Sequence, residues 1–204
     1  LNKDLSKIKL LTNNFYAIKN KKINEVNKIN LLINECKKNG TLPFAGIARC
    51  AFISTIILNS LLSKKLINQV DHDNFFNSIK TISNEINLDF KKLKLSKINK
   101  KSFLNIYGHL RPSTYSISSK NYKEGFSKYF NLNTNLIQNN SNSFTISQLK
   151  IKKINLFFKK NNLEFSFDTF LNFAKESIIN REKSKFEFTK YINEIFINLI
   201  NYGK

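Results

Sequence analysis

Apolar side chains recur through most of the chain at steps of three and four residues, the period of an amphipathic helix. Over residues 23–38 the stripe is Val26, Ile29, Leu32, Ile33 and Cys36. Gly40 follows where a left-handed residue commonly closes a helix, and Thr41, Leu42 and Pro43 read as a tight connection. From Pro43 to about Lys64 nearly every face is apolar, with Phe44, Ile47, Ala48, Ala51, Phe52, Ile56, Leu58 and Leu62. That pattern predicts a helix at the centre of a core. Arg49 stands in it among Ala45, Gly46, Ala48, Cys50 and Ala51, small neighbours that let another backbone or a ligand come close.

A third helix is predicted over 73–90 on the stripe Phe75, Ile79, Ile82 and Ile86, with Asp71 or Asp73 as its N-cap. A short helix over 99–107 follows. The run Gly108-His109-Leu110-Arg111-Pro112-Ser113-Thr114-Tyr115 breaks the period and reads as a structured loop, with 114–118 extended. Residues 131–143 are Asn-rich and read as a flexible connection. Ser147 caps a helix reaching Lys160, with Ile146 and Ile151 as a hydrophobic staple. Asp168 opens the last and longest helix, to about Asn201. Its stripe is Phe170, Ala174, Ile178, Arg181, Lys185, Phe188, Ile192, Ile195 and Leu199. Two cations thus interrupt an apolar line, and they either bind an anion, snorkel, or pair with Glu176 or Glu182. The expectation is a mainly α fold: an irregular bundle of about five to seven helices around the 44–62 helix, with one long C-terminal helix and a structured Gly-His-Leu-Arg-Pro loop.

Composition changes this picture in several ways. With 204 residues, 41% of them hydrophobic, the chain is long enough and apolar enough to build a core, while five Gly and two Pro exclude collagen and most loop-rich β folds. No apolar run approaches the roughly 20 residues of a membrane span; the stretch 51–62 is interrupted by Ser54, Thr55, Asn59 and Ser60. The start is polar and Lys-rich, without the apolar segment of a signal peptide. Because it opens on Leu1 and has no Met, the chain reads as one helical domain, 1–204, excised from a longer protein. Cys36 and Cys50 lack metal-ligand spacing, and a reducing cytoplasm fits.

The charge is 34 basic against 14 acidic residues, a formal +20. Such a balance invites a nucleic-acid partner. Yet the chain also holds 32 Asn and 26 Ile, and only three of the 34 basic residues are Arg. Ile, Asn, Lys and Phe are the residues of AT-rich codons, and the Lys are scattered rather than blocked, so a solvated basic surface is the better reading. The same bias makes Arg49, Arg111 and Arg181 informative. A planar, bidentate fork for phosphate or carboxylate is what Lys does not supply, although a structural pair with Glu would retain an Arg equally well. The expectation is that the three converge on one pocket.

No phosphate loop, dinucleotide motif, His/Cys cluster or Ser-His-Asp spacing is present. His72 lies in a polar helix start and reads as a surface residue. His109, between Gly108 and Arg111, reads either as functional or as a satisfied structural histidine.

Four segments carry a resemblance: 35–49 (Glu-Cys-Lys-Lys-Asn-Gly-Thr-Leu-Pro-Phe-Ala-Gly-Ile-Ala-Arg), 79–83 (Ile-Lys-Thr-Ile-Ser), 107–115 (Tyr-Gly-His-Leu-Arg-Pro-Ser-Thr-Tyr) and 181–186 (Arg-Glu-Lys-Ser-Lys-Phe). Together they resemble the middle, helical region of phosphoenolpyruvate-synthase-like proteins, phosphotransferases related to pyruvate phosphate dikinase and rifampicin phosphotransferase. Ser113 and Thr114 depart from that family's pattern, which has Gly and an acid there. The resemblance implies a helical domain that binds the phosphoryl acceptor, between an ATP-grasp-like domain and a swivelling phosphohistidine domain of the same chain. It implies ATP and Mg2+ in the parent protein, no cofactor and no metal ligand in this region, and a cytoplasmic setting. Under it, His109 and Arg111 are the candidate catalytic residues, and Arg49, Arg181, Lys185 and Tyr115 the candidate substrate-binding ones. The competing classes are a non-catalytic basic helical module for nucleic acid or an anionic membrane surface, and a purely structural spacer.

Overall fold

The computed structural model describes residues 1–132 and 144–204. Among these the regular structure is helical: α1 (Asn2–Lys19), α2 (Glu25–Glu35), α3 (Leu42–Ser63), α4 (Gln69–Asn77), α5 (Ile82–Lys94), α6 (Lys100–Tyr107), α7 (Phe126–Tyr129), α8 (Gln148–Lys160) and α9 (Phe167–Tyr202). The fold is mainly α, a multi-helix assembly with a long C-terminal helix. The starts are set by side-chain caps: Asn24, Asn68, Thr81, Asn99, Ser147 and Ser166 each accept a hydrogen bond from an N–H three residues on.

α9 is the spine, and three apolar clusters gather along it. Its C-terminal half contributes Phe188, Tyr191 and Ile195 to a cluster with Ile8, Leu11 and Phe15 of α1 and Leu32 and Ile47. Its N-terminal half contributes Phe167, Phe170 and Ala174 to a second, with Leu58, Leu61, Phe75, Ile154 and Phe158. Between them Phe186 packs against a third, built on Phe103, Tyr107 and Phe126. Phe44 meets Phe188 at a ring separation of 6.2 Å, and Phe52 meets Arg181 at 5.0 Å. Later residues of α3 therefore face earlier residues of α9, and the two helices run antiparallel.

Several sequence expectations are revised. α1, unrecognised in the polar, Lys-rich start, buries Ile8, Leu11 and Phe15. Gly40 does not close a helix. The chain passes from α2 through a π-helical stretch, Cys36–Thr41, directly into α3, and no glycine has a positive φ. Pro43 has no N–H to bond the carbonyl four residues before it and would crowd that carbonyl in a regular helix. The wider π turn precedes this point. What requires glycine at position 40 is close approach: a Cβ there would lie 3.1 Å from Cδ2 of Phe188. The joined helix Glu25–Ser63 is 39 residues long with a window of mean hydropathy 1.7, enough by length and composition to cross a membrane. That revises the count of interrupted runs; the buried face of this helix packs along α9 and α1.

The predicted 73–90 helix is two helices. Ser78 donates to the Phe75 carbonyl, Thr81 caps α5, and Asn84 donates to the Ile79 carbonyl. Polar side chains here compete for backbone groups and break the helix. The true cap of α4 is Asn68, with Asp71 completing a reciprocal capping box. Residues 114–118 form turns, not extended chain. Of the Asn-rich connection predicted over 131–143, residues 133–143 lie outside the described residues. Cys36 is 4% exposed, and burial pushes its thiol up to about 12.

α3 is not surrounded by core. Its buried face holds Ile47, Ala48, Ala51, Ser54, Leu58 and Leu61. Its outer face leaves Leu42, Phe52, Ile53 and Ile56 between 52% and 66% exposed.

Candidate functional site

The Gly-His-Leu-Arg-Pro loop follows α6 and is fixed from both ends. Gly108 fits because a Cβ there would stand 2.3 Å from the Leu104 carbonyl oxygen and 3.3 Å from Cβ of Lys123. Tyr122 N–H donates to the Leu110 carbonyl at 2.7 Å and Lys123 N–H to the Gly108 carbonyl at 3.2 Å. The loop is then tied to α9 by a carboxamide: Asn193 Oδ1 accepts from Arg111 Nη2 at 2.7 Å and from Asn121 Nδ2 at 3.0 Å.

Arg111 uses its fork within the chain. Nη1 donates to the Ser116 carbonyl at 3.3 Å, and Cζ lies 4.9 Å from the ring centre of Phe196. Nε is buried without a hydrogen-bond partner. Burial lowers the guanidinium pKa from its ordinary value, while the field of Glu124 opposes that shift. His109 is likewise engaged. Since a carbonyl only accepts, Nε2 carries the proton it donates to the Phe186 carbonyl at 3.2 Å. The imidazole also stands edge-on to the Phe186 ring, 4.7 Å away. Burial, then the charge of Lys190, push it down to about 4, so the neutral ring predominates near pH 7.

The other candidates lie elsewhere. Arg49 is exposed on the outer face of α3 and makes no hydrogen bond or ion pair with a described residue. Arg181 lays its guanidinium over Phe52, one turn beyond Arg49, so these two border one exposed apolar patch. Lys185 is exposed one turn further along α9. Tyr115 is 71% exposed and meets Phe188 edge-on at 6.3 Å. Arg111, held at Asn193, is twelve residues of helix beyond Arg181, or about 18 Å at 1.5 Å per residue. The three arginines therefore do not share a pocket, and the expectation that they converge is overturned. Each has found a different surrounding: an internal amide, an aromatic face, and open solvent.

The stripe assigned to α9 explains part of that error. The buried line advances by alternating steps of three and four through Phe167, Phe170, Ala174, Ser177, Arg181, Ser184, Phe188, Tyr191, Ile195 and Asn198, all buried except Arg181. Lys185 lies off this seam. Arg181 lies on it, with its head turned out to Phe52.

The structure also assembles residues that the sequence reading passed over. A cavity of about 610 Å³ opens between α1, α9 and the start of α5. Leu5, Ile8, Ile82 and Phe186 supply its apolar wall, and Lys9, Lys183, Ser184 and Glu187 its polar one. The signal on α9 was the face Asn180, Lys183, Ser184 and Glu187, at helical spacing beside the cations that drew attention. Lys9 needed the pairing of α1 with α9. Among the described residues no three His, Cys, Asp or Glu side chains gather as a metal would need.

No family model, curated protein or solved structure matches the chain.

Proposed function

We propose that this chain is the acceptor-binding helical region of an ATP-dependent phosphotransferase of the phosphoenolpyruvate-synthase type. One observation carries the reading. The segments in which the resemblance resides are far apart in sequence, yet three of them meet at Phe186 and Phe188. Gly40 and Phe44 lie against Phe188 from the π turn and α3. His109 and Tyr115 reach Phe186 and Phe188 from the loop. The fourth segment contributes Ile82 to the cavity that Phe186 also borders.

In this reading His109 and Arg111 hold the loop in shape against α9, and the exposed groups around it, Tyr115 among them, meet the acceptor. Phosphoryl transfer asks the protein chiefly for positioning and for cations near the transferring oxygens. ATP and Mg2+ belong to the ATP-grasp-like domain of the parent protein, and the phosphohistidine to its swivelling domain; no residue of this chain is assigned to them. The setting is the cytoplasm.

The test uses the whole natural protein that contains this region. Incubation with labelled ATP should form a phosphohistidine outside residues 1–204. Tyr115→Ala should leave that step intact and slow its discharge to acceptor. Absence of any ATP-dependent phosphorylation of the whole protein would overturn the reading.

A further inference from the structure

The cavity between α1, α9 and α5 has an imbalance that its own residues do not resolve. Its volume, about 610 Å³, falls within the roughly 300–1,000 Å³ of small-molecule sites. Glu187 is neutralised within its own helix, because Lys190 Nζ donates to both carboxylate oxygens at 2.8 and 2.9 Å. Lys9 and Lys183 have no hydrogen bond or ion pair with a described residue, and both line the space. The cavity is thus left with two unbalanced ammonium groups beside an apolar wall.

Ser184 adds an independent sign. It lines the cavity, is 1% exposed, and its Oγ has no hydrogen-bond partner. Hydroxyls in helices commonly return to the carbonyl four residues back. Thr12, Ser54, Thr55 and Ser63 all do so in this chain. Ser184 does not. A buried donor left without an acceptor is costly; its oxygen is sealed in the present rotamer, and a rotation about χ1 toward the cavity would bring it to a bound acceptor.

We propose that this cavity binds a small amphipathic anion, its apolar body against Ile8, Ile82 and Phe186 and its anionic head between Lys9 and Lys183, with Ser184 donating to it. The proposal rests on the cavity and not on the phosphotransferase reading. Phe186 links it to the loop, since the same residue borders the cavity and accepts the His109 hydrogen bond. A ligand there would therefore be felt at His109.

The experiment is an NMR titration of the isotope-labelled chain at physiological salt. Phenyl phosphate and benzoate carry both features of the ligand; inorganic phosphate and phenol carry one each. At least one of the first two should give saturable shifts at Ile82, Lys183, Ser184 and the His109 ring. It should bind at least about tenfold more tightly than either control. Lys9→Gln and Lys183→Gln should each weaken that binding by about tenfold while leaving the circular dichroism unchanged, because both side chains are exposed. Ser184→Ala, which removes an unpartnered hydroxyl, should fold and bind more weakly. Shifts scattered over the surface lysines, or equal affinity for inorganic phosphate, would mean charge screening only and would overturn the proposal. So would equal affinity for phenol, or no shifts at all. Failure here leaves the phosphorylation test of the whole protein untouched, and the converse holds as well.

Discussion

Arg111 and Asn193, 82 positions apart, are joined by a 2.7 Å hydrogen bond, and the same Asn193 oxygen also receives Asn121 at 3.0 Å. One carboxamide on α9 thereby anchors both sides of the loop that holds His109. A hydrogen bond from a charged donor contributes about 1.5–3 kcal/mol, and an uncompensated buried donor costs a similar amount. Asn193→Ala strands two donors at once. It should lower stability by about 2–4 kcal/mol in urea unfolding, counting both losses, and should open the loop to proteases before the helices melt. Asn193→Asp keeps the acceptor and should preserve the loop. If the Ala variant is as stable and as protease-resistant as the parent, the anchoring role is wrong.

His109 makes stability depend on pH in a defined window. Its folded pKa, about 4, lies below the ordinary 6.5, so the unfolded chain binds the extra proton. The contribution is fully present above pH 6.5 and is lost as pH falls toward 4. At 1.36 kcal/mol per pKa unit the loss is at most about 3 kcal/mol. The carboxylates of Asp71 and Asp89 act lower. The hydrogen bond from Lys92 holds Asp89 below its ordinary 3.8. At Asp71 burial raises the pKa, but the bonds from the Asn68 N–H and Lys150 outweigh it. Urea midpoints measured between pH 7 and 4.5 should fall for the parent and be flatter for His109→Gln, which retains an N–H donor. Parallel slopes in the two proteins would rule out His109 as the source.

The two faces of α3 should answer differently to the same substitution. Ile47 is 0% exposed and Ile56 is 66% exposed. Ile47→Ala should cost about 2–5 kcal/mol through lost burial and the cavity left behind. Ile56→Ala on the outer face should stay within about 0.5 kcal/mol. Differential scanning calorimetry separates these outcomes. A large loss at Ile56 would mean that the outer face is covered in solution.

How far the fold could be read from sequence varies with what each feature depends on. Caps are local, so the starts at Asn99 and Ser147 were legible, and the start of α9 was placed within two residues. The break at Ser78–Thr81 was missed, because the apolar stripe from Phe75 to Ile86 continues across it while the polar side chains between take backbone partners. Gly40 looked like a stop because its need for glycine comes from Phe188, a residue of another element. The outer face of α3 looked like core because composition alone does not say which neighbours exist. In the candidate site, the loop and the Phe186–Phe188 region were legible as segments. Lys9 and Lys183 were not, since only the packing of α1 on α9 makes them one cavity. The arginines misled for a related reason. Their scarcity said that each had a partner or a use, and nothing in the spacing said that the partner of Arg111 would be an internal amide.

The last prediction concerns the formal charge of +20. Any polycation binds duplex DNA by releasing counterions, so some binding at low salt is certain and says nothing of function. What separates a nucleic-acid protein from a basic surface is persistence against salt and preference among sequences. A specific reader presents donors or planar forks to base edges. Two of the three arginines are otherwise engaged here, Arg111 with Asn193 and Ser116, and Arg181 with Phe52. Arg49 alone stands clear. The Lys are spread over seven of the nine described helices, with none on α3 or α4, so few can meet one duplex at once, and the apparent number of phosphates neutralised should be small. Fluorescence anisotropy with duplexes of differing sequence should show affinity that varies little among them. Binding should already be weak at about 50 mM salt, decline with a shallow slope on a logarithmic salt axis, and be negligible by about 200 mM. A sequence-selective complex that persists at 200 mM salt, weakened by Arg49→Ala, would establish the competing class of basic helical module.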